Sequence, residues 1–339
     1  MKKLFLAIVI VASAFGATGQ TKPVMNEKQR FELAAEYSRN NRGVSVLVVK
    51  GDKTVFEDYQ NGSNAETPNF LASGTKSFSG VILAAAIEDK LITSFDEKVS
   101  DTINEWKIDK RKSQITIRQL LSLTSGIDAG QIGSVPSYQD AISSPVSTDA
   151  GKRFEYGPVP FQIFGELMTR KLKTKNESVM AYLKRRILDP IGLKAAFWRM
   201  PGGQPMLPQG ASLTAREWAK FGLFLKNGGR WNGKQIITKK LLDELIKGSE
   251  ANPAYGLTFW LNRQGKDPRG RPNTRNVMTE ISDNGLIDGL DDLYMAAGAG
   301  NQRLYIIPSL DMVVVRQGQF GSWDDRDFLS RLILGGSAN

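Results

Sequence analysis

The hydrophobic pattern runs at strand period near both ends of this chain and at helix period through its middle. Residues 26–40 mix apolar and charged positions as an amphipathic helix does. Residues 43–50 and 54–59 are β-branched and alternating around Gly51-Asp52-Lys53, which predicts a hairpin. A polar loop over 61–70 leads to a run in which Phe78, Val81, Ile82, Ala85, Ala86 and Ile87 leave hardly any polar face. A helix of that kind belongs inside the protein.

From about 101 to 207 no strand pattern is found. A short helix is predicted over 115–124, opening at Thr116 and closing at Ser125-Gly126, and 130–150, rich in Gly, Pro and Ser, reads as loop. Helices are predicted over 161–172, 178–188 and 213–226, the last with Trp218, Phe221, Phe224 and Leu225 on one side and Asn227-Gly228-Gly229 as its stop. Past 241–247, strands return at 256–262, 293–297, 303–307 and 312–316, and 323–334 makes a final helix. Between the first two of these strands, 263–276 is a basic loop of Gly and Pro residues.

Strands near both termini with helices between them imply an α+β fold: one antiparallel sheet flanked by helices and built from both chain ends, with an inserted all-helical region. The expected division is 20–100 with 208–339 as an α/β domain and 101–207 as a helical domain, with the active site in the cleft between them. Residues 1–19 read as a signal peptide, Lys2-Lys3 preceding an apolar run over 4–15 and small residues to Gly19. The run is too short to span a bilayer, so a periplasmic or secreted location is expected, with cleavage after Ala14, Gly16 or Gly19 and no membrane attachment afterwards.

Composition narrows the chemistry. The 339 residues contain no histidine and no cysteine, which removes a Ser-His-Asp triad, a cysteine nucleophile, a Cys/His zinc site and any disulfide. The formal charge of +10 is spread over clusters at helical spacing that read as solvated faces, and no nucleic-acid-binding motif accompanies it. A hydrolase built from this chain needs Lys, Tyr, Asp or Glu as its base.

Ser73 and Lys76 supply such a pair. In Leu71-Ala72-Ser73-Gly74-Thr75-Lys76 a hydroxyl and an amine stand three residues apart at a helix start, hence on one face. A desolvated lysine can lose enough basicity to take the serine proton, and free N–H groups at the helix start suit an oxyanion.

Ser73-Gly74-Thr75-Lys76 resembles the first motif of the serine β-lactamase and penicillin-binding-protein superfamily. The stretch Ile115-Thr116-Ile117-Arg118-Gln119-Leu120-Leu121-Ser122-Leu123-Thr124-Ser125-Gly126-Ile127 is similar to one typical of the branch holding class C β-lactamases, D,D-peptidases and family VIII carboxylesterases. Gly210-Ala211-Ser212-Leu213-Thr214-Ala215-Arg216 and Asn227-Gly228-Gly229-Arg230-Trp231-Asn232-Gly233-Lys234-Gln235 match the same branch, and the likeness spans about 43–317. It implies a β-lactamase/transpeptidase-like fold and an acyl-enzyme on Ser73. The family's Tyr-x-Asn motif matches Tyr156-Gly157-Pro158, so the tyrosine is kept and Pro158 stands in place of asparagine. Tyr156 is then a base, its phenol expected to be drawn down by the ammonium of Lys76. The family's Lys-Thr-Gly motif corresponds to Met295-Ala296-Ala297-Gly298-Ala299-Gly300-Asn301-Gln302, which has no cation at the aligned place. The resemblance implies an oxyanion hole from the N–H groups of Ser73 and Ala299, with Gly298 and Gly300 letting substrate approach the strand backbone.

The expected function is hydrolysis of a small ester, amide or peptide substrate through Ser73, Lys76 and Tyr156, with no metal or organic cofactor and no nucleic acid. Pro158 and the missing cation weigh against β-lactamase or D,D-carboxypeptidase activity, which would need a substitute such as Arg271 or Arg275. A catalytically silent binding protein of the same fold is the third reading.

Overall fold

The computed structural model describes residues 25–265 and 286–337. The segment read as a signal peptide, and Arg271 and Arg275 of the basic loop, lie outside the described residues.

Local signals start most elements where they were expected. Asn26 caps helix α1 (Glu27–Asn40) with a capping box to Gln29. Strands β1 (Gly43–Lys50) and β2 (Lys53–Tyr59) form the hairpin. A two-residue strand β3 (Asn69–Phe70) leads to a 3₁₀ turn, Ala72–Lys76, and helix α2 (Ser77–Glu88). Residues 77–86 are all buried, as a helix without a polar face requires. Each of Phe78, Val81, Ile82 and Leu83 then contributes about 1.5–3 kcal/mol of transfer free energy.

Thr116 and Gln119 form the capping box of α3 (Ile117–Leu121). The stretch read as loop contains α4 (Tyr138–Ser143), capped by Ser137 and held by the ring of Tyr138 against Gly165. Burial of Tyr138, Ala141 and Ile142 outweighs the loop-forming residues around them. Helix α5 (Val159–Leu172) begins earlier than expected, and α6 (Val179–Leu183) runs on as a π-helical turn over Lys184–Leu188.

The middle region is not wholly helical. Strand β4 (Phe197–Trp198) pairs with β5 (Ala211–Leu213), and β5 with β3, a three-stranded ribbon too short for any periodic signal. Thr214 caps α7 (Ala215–Lys226), which is followed by a small hairpin of β6 (Arg230–Trp231) and β7 (Lys234–Gln235) and by α8 (Lys239–Leu245).

The strand expected over 256–262 shrinks to β8 (Trp260–Leu261). The chain doubles back there: the Gly256 amide donates to the Phe259 carbonyl at 2.9 Å, and Thr258 adopts a left-handed φ of 82°. Strands β9 (Tyr294–Gly298), β10 (Gln302–Ile307) and β11 (Met312–Gly318) and helix α9 (Asp325–Leu334) complete the chain.

Among the described residues the main sheet has six strands in the order β2-β1-β11-β10-β9-β8, all neighbours antiparallel. First and last strands of the chain therefore meet, with Leu47 opposite Val315. Strand β1 is covered on both faces and reads as an almost unbroken apolar run, whereas the edge strand β2 is charged and partly exposed. Helix α7 lies on the face presenting Leu304 and Val313. On the other face Arg316 reaches Ser38 of α1 and Tyr305 stacks on Phe328 of α9.

Gly222 marks the tightest contact of α7 with the sheet, since a Cβ there would sit 2.5 Å from Val313 Cγ1 and 2.8 Å from Leu304 Cδ1. Gly222→Val is expected to lower stability by about 1–3 kcal/mol through overpacking, read as a reduced urea midpoint with an unchanged denaturant slope.

Candidate active site

The turn carrying Ser73 is clamped from three directions. Upstream, the Leu71 amide donates to the Ala211 carbonyl of β5 at 2.9 Å, and the Ala211 amide to Thr75 Oγ1 at 3.2 Å. Below it, Trp218 of α7 fills the space beside Gly74. Beside it, Gly298 at the end of β9 lies so close that a Cβ would stand 2.0 Å from the Leu71 carbonyl oxygen. Residues 71–80 are all buried except Ser73, which is half-buried. Ala72 takes a left-handed φ of 46°, a strained conformation for a residue with a Cβ, held by these contacts and placed immediately before Ser73.

In a 3₁₀ turn residues three apart eclipse, and Lys76 Nζ lies 3.0 Å from Ser73 Oγ. Lys76 also donates to the Pro208 carbonyl at 3.0 Å, and its Nζ is 5.0 Å from the ring centre of Tyr156 and 5.3 Å from that of Phe161. Among the described residues it pairs with no carboxylate. Burial therefore acts on the amine alone and lowers its pKa from 10.5 to about 7.

Tyr156 comes to the same place from the start of α5. Its ring stacks on Trp260 at 5.7 Å and meets Tyr255 edge-on at 6.1 Å, with its hydroxyl on the side of Ser73. Burial pushes the phenol well above its ordinary value, against smaller downward pulls from the Ser73 hydroxyl and the buried charge of Arg303. The expectation that Lys76 draws the phenol down is thus reversed. An aromatic enclosure penalises charge on both groups, and an amine that has lost its proton exerts no Coulomb attraction.

Gly157, with a Cβ position 2.1 Å from the Ala129 carbonyl oxygen, fixes the approach to α5. Pro158 takes the N-cap place with no side-chain cap bond, so no side-chain amide stands where the motif has asparagine.

The glycines of the third motif have packing and turn tasks in the fold. Gly298 faces the Leu71 carbonyl and the Gly74 amide instead of open space, so its missing side chain serves the packing of strand on turn. Gly300 is buried in the β9–β10 hairpin turn with φ 75°, followed by Asn301 at φ 58°. Ala299 is exposed at the start of that turn.

Sequence reasoning missed the Pro208 carbonyl, because a backbone acceptor carries no residue-type signal. It also missed the wall made by Tyr255 and Trp260: Trp260 was read only as part of the strand expected over 256–262, and Tyr255 just before it was not singled out. No group of acidic residues able to hold a metal ion is found among the described residues.

A family model described as Beta-lactamase matches residues 26–327. A putative β-lactamase from Bacteroides dorei is 17% identical, with a TM-score of 0.71 over 92% of this chain and 98% of that one. A putative 6-aminohexanoate-dimer hydrolase from Bacillus anthracis is 19% identical, with a TM-score of 0.68 over 89% of this chain and 80% of that one. EstCE1, described as a hydrolase with promiscuous acyltransferase activity, is 13% identical, with a TM-score of 0.66 over 90% of this chain and 97% of that one.

Because only the uncharged amine can accept a proton, labelling of Ser73 by a neutral fluorophosphonate is expected to depend on pH through Lys76. The rate should rise about tenfold per pH unit below the lysine pKa of about 7 and level off above it, measured as label incorporated against time across a pH series.

Proposed function

The chain belongs to the β-lactamase family, and from that membership we propose that it is an exported serine hydrolase that cleaves ester or amide bonds of small substrates through an acyl-enzyme on Ser73. The observation carrying this reading is the 3.0 Å approach of Lys76 Nζ to Ser73 Oγ inside an enclosure that lowers the amine pKa to about 7. Export rests on the N-terminal sequence pattern alone.

In the first step Ser73 Oγ bonds to the substrate carbonyl carbon and its proton passes to the neutral amine of Lys76. The oxyanion is received by the N–H groups of Ser73 and Ala299, a reading supported by the close packing of Gly298 on the Ser73 turn. The proton then moves through the Tyr156 hydroxyl to the leaving oxygen or nitrogen as the scissile bond breaks. Water attacks the acyl carbon in the second step, gives its proton back along the same path, and Ser73 regains its own. Tyr156 acts here as a proton-holding relay and Lys76 as the base, in keeping with the direction in which burial moves each.

Uncharged acyl groups fit this site better than β-lactams or D,D-peptides. Pro158 removes an amide donor, and Arg303, the cation bonded to the Gly298 carbonyl, is committed to Asp325. The putative 6-aminohexanoate-dimer hydrolase and EstCE1 stand beside the putative β-lactamase among the structural neighbours and support hydrolase chemistry in general.

Ser73→Ala is expected to abolish p-nitrophenyl butyrate hydrolysis. Lys76→Ala should lower kcat by about 10²–10⁴ and Tyr156→Phe by about 10–10³, each with an unchanged circular dichroism spectrum. Nitrocefin turnover should be far slower than ester turnover in the wild type; the reverse order would return the β-lactamase reading to first place.

A further inference from the structure

Behind the hairpin of Ala299 lies a group of buried charges that the steps above do not use. Arg303 and Arg316 face each other across β10 and β11, and both are completely buried. Arg303 forms a two-pronged pair with Asp325, Nε to Oδ1 at 2.7 Å and Nη2 to Oδ2 at 2.9 Å, and Asp325 is itself 1% exposed. The Trp323 indole donates to that carboxylate at 3.0 Å, and the Tyr305 hydroxyl donates to it as well. Arg316 lies 4.0 Å from the ring centre of Trp323 and has backbone carbonyls and the Ser38 hydroxyl as its partners.

The Nη1 atoms of both guanidinium groups turn to one short loop. Arg303 Nη1 donates to the Gly298 carbonyl at 3.3 Å and to the Gln302 carbonyl at 3.0 Å. Arg316 Nη1 donates to the Asn301 carbonyl at 2.8 Å and to the Gly300 carbonyl at 3.4 Å. Two cations thus hold the hairpin turn from inside, where consecutive left-handed residues point carbonyls toward the core. The Gly298 carbonyl and the Ala299 N–H belong to the same peptide unit. A positive charge on the oxygen of a peptide polarises its N–H and fixes the plane in which that N–H points.

We propose that Arg303, locked by Asp325, is a positioning residue that aims and polarises the Ala299 N–H toward the developing oxyanion. The inference rests on the hydrolase reading and on Ala299 as one of its two donors. A fixed dipole is most valuable in the transition state, so the effect belongs in kcat and in affinity for tetrahedral adducts, with little in ground-state binding.

The test uses the full-length enzyme, with active sites counted by fluorophosphonate labelling, p-nitrophenyl butyrate as substrate and a small alkylboronic acid as the tetrahedral probe. Arg303→Met is expected to lower kcat per labelled site about 10- to 100-fold, with KM within about twofold and boronate affinity reduced by a factor similar to that in kcat. Arg303→Lys, which keeps the charge but not the fork, should recover part of the loss. Tyr305→Phe removes a donor from Asp325 without touching the hairpin, and should lower the melting temperature while leaving kcat unchanged. Where Arg303→Met does not fold, Asp325→Asn should give the same paired loss of kcat and boronate affinity at about 3- to 10-fold. Unchanged kcat per labelled site in whichever of these variants folds would overturn the proposal, as would a kcat loss without loss of boronate affinity. Retained turnover in Ser73→Ala would instead overturn the hydrolase reading itself, so the two failures are distinct.

Discussion

The site depends on a lysine buried without a counter-ion. Holding Lys76 next to Ser73 with a backbone carbonyl and two aromatic rings for company moves its pKa from 10.5 to about 7, a penalty on the order of 5 kcal/mol against the ammonium form. That penalty makes a base available at neutral pH in a chain that has no imidazole. It is sustained by segments distant from one another in sequence: the Ser73 turn, the Pro208 loop, the start of α5 with Tyr156 and Phe161, and the Tyr255–Trp260 turn. Since the folded pKa lies below the unfolded one, the unfolded chain holds the extra proton between about pH 7 and 10.5. The contribution of this residue to stability therefore improves as pH rises through that window.

Three buried cations illustrate three outcomes of desolvation. Lys76 has no carboxylate and loses basicity to the neutral range. Arg303 keeps a two-pronged carboxylate and serves as a permanent donor. Arg316 depends largely on carbonyls and is lowered only to about 10 by burial and by the neighbouring Arg303, so it stays charged at neutral pH. The division follows the residue chemistry, because an amine can shed its proton at modest cost and a guanidinium cannot. Titratable chemistry sits in the turn, and fixed charge sits in the sheet that supports it.

Much of this was legible in the sequence wherever a short-range rule governs. The capping boxes at Asn26 and Thr116, the hairpin at Gly51 and the three-residue spacing of Ser73 and Lys76 each depend on neighbours within a few positions. What was not legible depends on partners far along the chain. The titration of Tyr156 is set by Tyr255 and Trp260 as well as its own segment, and a composition-based reading had only the lysine to invoke. Gly298 was assigned to substrate approach because the Leu71 carbonyl that fills its space is invisible from sequence. Strand β8 was overextended because a turn at Thr258 breaks a run of strand-forming residues, and α4 was overlooked because its helix signal is buried in loop-forming ones.

The pairing of β1 with β11, and the seating of β9 against the Ser73 turn, have a bearing on biosynthesis. A nascent polypeptide that has left the ribosome as far as residue 290 already contains serine, amine and phenol, yet lacks the strand that braces them and the one that closes the sheet. The Ser73 turn thus gains its full support only after β9 and β11 have been made. A chain that stops short of β9 keeps the serine, the amine and the phenol but has no brace for the turn that carries them.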